Sequence, residues 1–433
     1  MSIVNKVVVN THYTRSINLE RDANVIAVTQ NYIPTSRALQ TFLRISDTFA
    51  KQDIPRAWSW VGPYGSGKSS ASAFLGQLLA NPDSEGYGVA QKVLIKASKE
   101  IAESFAQDHQ SNGWLKVFLT GSPESLGGRL VAALNKAILE YASDNAIIIK
   151  GSEEISDLLV KETLTTSDVV GAFQFLQNSL AQHGCPGILL IIDELGKFLE
   201  YEARHYGAND IYLLQALAEH ANKGQVVNLN LIVLLHQSFE QYAKGLGENL
   251  KNEWSKVQGR FEEVPFIESA EQVLRVVASA FQHNLNKTEQ RALKAKVKQI
   301  VTTMSSQGAL PSGLSEDEAN TLFVSCYPLH PISATLLPIL CQKVAQNERT
   351  LFSYLGSREK FGMLDMLNKV ENTTHFINPH SIYDYFITNQ ASSIGDYLTH
   401  RRWAEVITAL ERLNPTNLSD TLALKTIGLL NII

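Results

Sequence analysis

The run Trp60–Ser70 reads WVGPYGSGKSS, which has the Gly-x-x-x-x-Gly-Lys-Ser spacing of a phosphate-binding P-loop. The spacing has a chemical reason. Gly62, Gly65 and Gly67 permit backbone angles closed to other residues, so the N–H groups of the loop can turn inward around a phosphate. Pro63, Tyr64, Ser66 and Ser70 complete the stretch that contacts the nucleotide. Lys68 brings a full positive charge to the β- and γ-phosphates, and Ser69 offers a hydroxyl to Mg²⁺. The helix that opens at this point turns its positive end to the anion.

A second constellation is Gly187–Glu194, GILLIIDE. Five consecutive apolar residues suit a strand buried on both faces of a parallel sheet. Two carboxylates then fall at its C-terminal end, where open α/β sheets bind ligands. Asp193 would hold the Mg²⁺ ion, and Glu194 would orient and deprotonate the water that attacks the γ-phosphate. The two motifs together imply a Mg²⁺-dependent nucleotide hydrolase, and the resemblance described below adds ATP as the nucleotide. A kinase would exclude water and has no use for Glu194, and a guanine-reading Asn-Lys-x-Asp motif is absent.

The elements that must position these residues follow from pattern. Strands are predicted over Trp58–Val61, Trp114–Leu119, Ile188–Asp193 and Leu229–His236. Helices are predicted over Ser36–Phe49, from Ser69 to Leu79, over Leu126–Tyr141 and Val169–His183, with a polar, irregular insertion over Ser143–Thr166. Alternation of strand and helix from Ala57 to about Pro265 is the signature of a parallel sheet covered on both faces. Beyond Pro265 the periodicity is helical, over Ser269–Phe281, Lys287–Met304, Glu316–Cys326 and Ile332–Gln346. His375–Ile433 has the mixed pattern of a small helical or winged-helix module.

Two further segments resemble AAA+ ATPases. Asn228–Ser238 (NLNLIVLLHQS) is a buried strand ending in polar residues, where that family places a side chain that senses the γ-phosphate; His236 and Gln237 are the candidates. Lys256–Phe266 (KVQGRFEEVPF) resembles the segment in which an Arg-Phe pair precedes a short strand leading to the lid. The resemblance makes Arg260 an arginine finger, supplied in trans to a neighbouring subunit; a guanidinium suits the role because it is always charged and contacts two phosphate oxygens at once. By the same resemblance Arg349 is the charge contributed by the lid, and Tyr327–Pro331 (YPLHP) is a turn approaching the adenine.

GPYGSGKSS, LLIIDELGKFLEY, LLHQSFEQYA, VQGRFEEVPF, YPLHPIS and ERTLFSYLGS together resemble the large AAA+/STAND-like ATPases of bacterial phage-defence systems, of the BREX and phage-growth-limitation type. That resemblance implies an AAA+-like P-loop NTPase: an α/β parallel sheet with helices on both faces, then a helical lid and a small C-terminal helical or winged-helix-like module. The corresponding division is an extended lead-in over 1–35, the ATPase core over 36–265, the lid over 266–370 and the module over 371–433. An apolar ending, LKTIGLLNII, suggests a piece of a longer protein. The implied partners are further copies of the chain or other defence proteins.

Composition adds bounds. The 433 residues are 44% hydrophobic and 19% charged, which is ordinary for a chain with a substantial core. A net charge of −5 gives no general affinity for nucleic acid. The local basic clusters Lys287–Lys298 and His400–Arg402 fit a solvated helix face better than a DNA contact. Three scattered cysteines, Cys185, Cys326 and Cys341, fit a reducing cytoplasm. Neither a secretory signal nor a membrane-spanning run is visible. An ATP-driven oligomeric switch is the first reading; a DNA-translocating or DNA-processing motor and a slow nucleotide-bound scaffold are the alternatives.

Overall fold

The structure, a computed structural model, describes residues 3–10, 17–51, 53–107, 111–204, 210–243, 248–344, 351–389, 397–413 and 418–433. Its strands are β1 (Val7–Val9), β2 (Ala57–Val61), β3 (Leu115–Thr120), β4 (Gly187–Asp193), β5 (Asn228–Leu235), β6 (Glu262–Pro265) and β7 (Phe281–His283). Contacts within the chain divide it into two compact units, one of residues 17–267 and one of residues 1–16 with 268–433.

The first unit is a five-stranded sheet in the order β3-β4-β5-β2-β6, parallel throughout. Every residue of β4 is buried. Successive side chains of a strand point to opposite faces, and β4 uses both. Ile188, Leu190 and Ile192 join a core with the helices Leu126–Asp144, Thr166–Leu180 and Asp210–Asn222. Leu189 and Ile191 join another with the helices Ser36–Ala50, Lys68–Leu78 and Glu85–Ala97. Burying each such side chain contributes about 1.5–3 kcal/mol, so the end of β4, with its carboxylates, is firmly placed. The fold is the expected P-loop NTPase architecture, a parallel sheet with helices on both faces.

The start of β2 is fixed by polar bonds. The buried Arg56 guanidinium donates to the carbonyls of Thr48 at 3.1 Å and Lys51 at 2.7 Å, closing the C-terminal end of the helix Ser36–Ala50. Asn222 Oδ1 accepts from the backbone N–H groups of Arg56 at 2.7 Å and Ala57 at 3.1 Å.

Differences from the sequence reading are local. The strands are displaced by about one residue. Residues 1–35 are not one extended lead-in, because Leu19–Asp22 and Ile26–Gln30 are helices. The insertion Ser143–Thr166 holds a helix at Ser152–Asp157. Helices at Glu85–Ala97, Lys99–Ser104, Gly196–Arg204 and Asp210–Asn222 had not been placed from the pattern.

Among its described residues the second unit is helical apart from β1 and β7, which pair antiparallel with Val7 opposite His283 and Val9 opposite Phe281. Phe281 therefore lies in a strand, and the helix expected to reach it spans Ala270–Ser279. One apolar core runs from Leu274 through Tyr327, Leu337 and Tyr354 to Tyr383, Trp403 and Leu429, on both sides of the boundary expected at 370/371. Among the described residues no strand follows β7, and beyond 371 they form the helices Pro379–Asn389, Tyr397–Leu413 and Leu418–Ile432. All three cysteines are buried and free. Among the described residues no helix is long and apolar enough to cross a membrane.

Candidate nucleotide-binding site

The P-loop leaves the C-terminal end of β2 and passes into the helix Lys68–Leu78. Its glycines serve two different needs. Gly65 and Gly67 have φ of 76° and 86°, the left-handed region that side chains disfavour. Gly62 instead permits a close approach: a Cβ there would stand 2.3 Å from the Phe266 carbonyl oxygen. That approach is fixed by the Gly62 N–H donating to Leu235 O at 3.0 Å and the Phe266 N–H donating to Val61 O at 2.6 Å.

Lys68 lies within the loop, its ammonium donating to Gly62 O at 2.6 Å, Pro63 O at 2.9 Å and Ser66 Oγ at 3.1 Å. Burial lowers its pKa to about 8, against the opposing attraction of Asp193 and Glu194. A phosphate oxygen exchanged for one of these carbonyls would supply the negative charge that this buried cation lacks. Ser70 follows in the first turn of the helix.

In the sheet order, β5 separates β2 from β4. Ser69 crosses that interval, its Oγ donating to Asp193 Oδ2 at 2.7 Å. Asp193 is 5% exposed, and burial raises its carboxyl to about pH 6 despite the Ser69 hydrogen bond. Glu194 has φ of 50° in the left-handed region, its N–H donates to Asp193 Oδ1 at 2.8 Å, and its carboxylate pairs with Lys197 at 2.5 Å. Gly121, after β3, completes the turn: its N–H donates to Asp193 O at 2.8 Å, and a Cβ on it would meet the Glu194 carbonyl oxygen at 2.1 Å.

Because β5 lies between the two motif strands, the residues that follow it emerge between the P-loop and the acidic pair. His236 is the first of them, Gln237 the next. The His236 ring stacks on Tyr64 of the P-loop with centroids 4.8 Å apart and bonds the Tyr242 hydroxyl at 2.7 Å. Burial and the Lys68 charge lower its pKa, while Glu194 acts in the opposite sense. The structure thus brings Lys68, Ser69, Asp193, Glu194, Tyr64 and His236 together.

Arg260 is elsewhere. Trp58 pairs with Glu262 in register, so Arg260, two residues earlier, lies level with Arg56 at the end of the sheet opposite the P-loop. Its guanidinium pairs with Glu219 at 2.8 Å, and its carbonyl accepts from Asn222 at 3.0 Å. Arg349 falls outside the described residues. Tyr327 of the YPLHP turn is buried in the helical unit, its hydroxyl donating to Asn372 O at 3.1 Å.

Mg²⁺ fits the donors present. A hydroxyl and a carboxylate oxygen 2.7 Å apart are the hard oxygen ligands it takes, with waters and phosphate oxygens completing the shell. Among the described residues no cluster of three or more acidic, histidine or cysteine side chains would enclose a metal without a nucleotide.

No protein-family model and no characterised protein matches the sequence. Two solved structures of the Aeropyrum Pernix ORC2 protein align along nearly the whole chain. Its ADPNP-ADP complexes match at 11% identity and a TM-score of 0.36, covering 95% of this chain and 97% of that one. Its ADP form matches at 12% identity and a TM-score of 0.31, covering 96% and 94%. TM-scores this low carry no argument, and the fold assignment rests on the sheet order and the P-loop geometry.

Sequence reasoning gave no role to Tyr242, Lys197, Gly121 or Glu219. Tyr242 lies in LLHQSFEQYA, six residues after His236, a spacing that no regular element brings into contact: in a strand it spans about 20 Å. Only the loop geometry brings the pair together.

Proposed function

We propose that the protein is a Mg²⁺-dependent ATPase whose nucleotide cycle drives a conformational switch between subunits. The observation that carries this reading is the 2.7 Å bond from Ser69 to Asp193, made with the Lys68 ammonium held in the P-loop. In the proposed cycle, Lys68 and the loop N–H groups bind the β- and γ-phosphates. Ser69 and Asp193 hold the Mg²⁺, which when bound neutralises charge on the phosphate oxygens. Glu194 takes a proton from the attacking water, and His236 contacts the γ-phosphate. Arg260 supplies the neighbouring subunit's site. Trans supply is supported by its position at the far end of its own sheet.

The narrower reading, an ATPase of a cytoplasmic anti-phage defence complex, is supported only by the resemblance of the motifs. Further copies of the chain or other defence proteins are the partners it implies.

The test is ATPase activity against protein concentration, for wild type, Lys68→Ala and Arg260→Ala, with and without double-stranded DNA. Turnover that rises with concentration and collapses in both variants supports the shared site. Turnover independent of concentration and of Arg260 sinks it and leaves a monomeric ATPase. Stimulation by DNA would favour a motor.

A further inference from the structure

We propose that Tyr242 is a positioning residue for His236, locking the strand-end loop that addresses the γ-phosphate to the loop that carries Glu194. The inference rests on the ATPase reading above and adds a residue which that reading does not contain.

Four observations meet at this side chain. Tyr242 is 8% exposed and ends the single-turn helix Phe239–Tyr242. Its hydroxyl lies 2.7 Å from His236 Nδ1 and 3.1 Å from Nε2, and its ring meets the imidazole edge-on at 5.2 Å. Tyr64 stacks on the same imidazole at an interplanar angle of 22°, so the ring is held between a P-loop side chain and Tyr242. Gly196, two residues after Glu194, has no room for a side chain, because a Cβ would stand 2.2 Å from the Tyr242 hydroxyl.

The chemistry of the phenol fits the task. Burial raises its ionisation well above the ordinary tyrosine range, so it stays neutral and can both donate and accept. The imidazole is also held neutral. A neutral imidazole has one N–H and one bare nitrogen, and the hydroxyl lies within hydrogen-bond reach of both, so it can accept from the one or donate to the other. By engaging the ring edge, Tyr242 fixes the orientation of His236 before a γ-phosphate arrives. Through Gly196 it ties that orientation to the turn that places Glu194.

Tyr242→Phe removes the hydroxyl and keeps the ring, and is the decisive variant. Losing one hydrogen bond of this kind is expected to lower kcat about three- to tenfold with KM for ATP little changed. Competition against a fluorescent ADP analogue should show the preference for a non-hydrolysable triphosphate over ADP shrinking by a similar factor. In a His236→Ala background the same change should add nothing, because its effect runs through the imidazole. Gly196→Ala, which pushes a methyl against the hydroxyl, should reproduce the loss. Costs that multiply in the double variant, or a Tyr242→Phe protein identical to wild type, would overturn the inference. Failure of the ATPase reading looks different: wild type would neither bind nor hydrolyse ATP, or Lys68→Ala would do both as well as wild type.

Discussion

Ser69 and Asp193 are hydrogen-bonded at 2.7 Å although β5 lies between the strands that end near them. The bond draws a hydroxyl from the P-loop helix and a carboxylate from β4 onto one point at the C-terminal edge of the sheet. For Asp193→Asn the expected result is a fall in kcat of about 10²-fold or more, since several kcal/mol of charge stabilisation depend on the cation. Nucleotide affinity should fall with Mg²⁺ present and match wild type in EDTA. A variant weaker by the same factor in both buffers would show that Asp193 holds the loop rather than a cation.

Glu194→Gln should separate binding from chemistry. It keeps the shape of the side chain at φ 50° and removes the base. Turnover is expected to fall about 10²–10⁴-fold, the usual contribution of a general base, while ATP stays bound through gel filtration. Loss of binding would place Glu194 in the structure of the loop instead.

Arg260 and Glu219 are both partly exposed, and such a pair is worth about 0–1 kcal/mol. Arg260→Ala is therefore expected to leave the unfolding midpoint nearly unchanged while lowering turnover about 10³-fold, as removal of an arginine finger does. A large loss of stability together with unchanged turnover per folded molecule would make Arg260 an ordinary anchor for the turn before β6.

Gly62→Ala and Gly67→Ala should fail differently. At Gly62 a methyl would meet the Phe266 carbonyl at 2.3 Å, a backbone atom that does not rotate away, so a loss of about 1–3 kcal/mol in denaturant stability is expected. At Gly67 nothing lies within 4 Å, and the cost is the φ of 86° alone, about 1–2 kcal/mol. If Gly62→Ala unfolds at the wild-type denaturant concentration, the packing of Phe266 on the loop is looser than this structure shows.

His330 should make stability depend on pH. Its Nδ1 accepts from the Ile332 N–H at 3.2 Å at the head of the helix Pro331–Val344, and burial and Lys296 lower its pKa to about 4. The unfolded chain, near the ordinary value of about 6.5, binds the proton more tightly. The contribution is therefore intact above about pH 6.5, is lost as pH falls toward 4, and changes no further below that. His330→Asn can accept the same N–H bond without titrating. Between pH 7.5 and 5, wild type should lose about 2 kcal/mol more than the variant in denaturant titrations; parallel losses would exclude His330 as the source.

The site was legible where chemistry imposes spacing. GPYGSGKS and LLIIDE must read as they do for a loop to surround a phosphate and for two carboxylates to end a buried strand. The strand order is not written in any one segment, yet it decides that His236 emerges between those motifs. Contacts formed at long sequence separation were invisible: Val7–Val9 pairs with Phe281–His283, and Phe281 looked like the last turn of an amphipathic helix. Arg56 stands just before the predicted strand Trp58–Val61, and nothing local reveals that its guanidinium closes a neighbouring helix. Tyr242 was missed for the same reason.

The register of β2 with β6 sets Arg260 level with Arg56, five residues from Val61 along β2, or about 16 Å at the rise of a strand. An arginine side chain does not span that distance, so the proposed finger and the loop of one chain never meet. The consequence is genetic. Lys68→Ala and Arg260→Ala are each expected to be inactive alone, yet each would still carry what the other lacks. Mixed in equal amounts into a head-to-tail assembly, they should regain about a quarter of the wild-type sites, one for every Arg260→Ala subunit that has a Lys68→Ala neighbour on its receiving side. Two null alleles would then complement each other within a single gene.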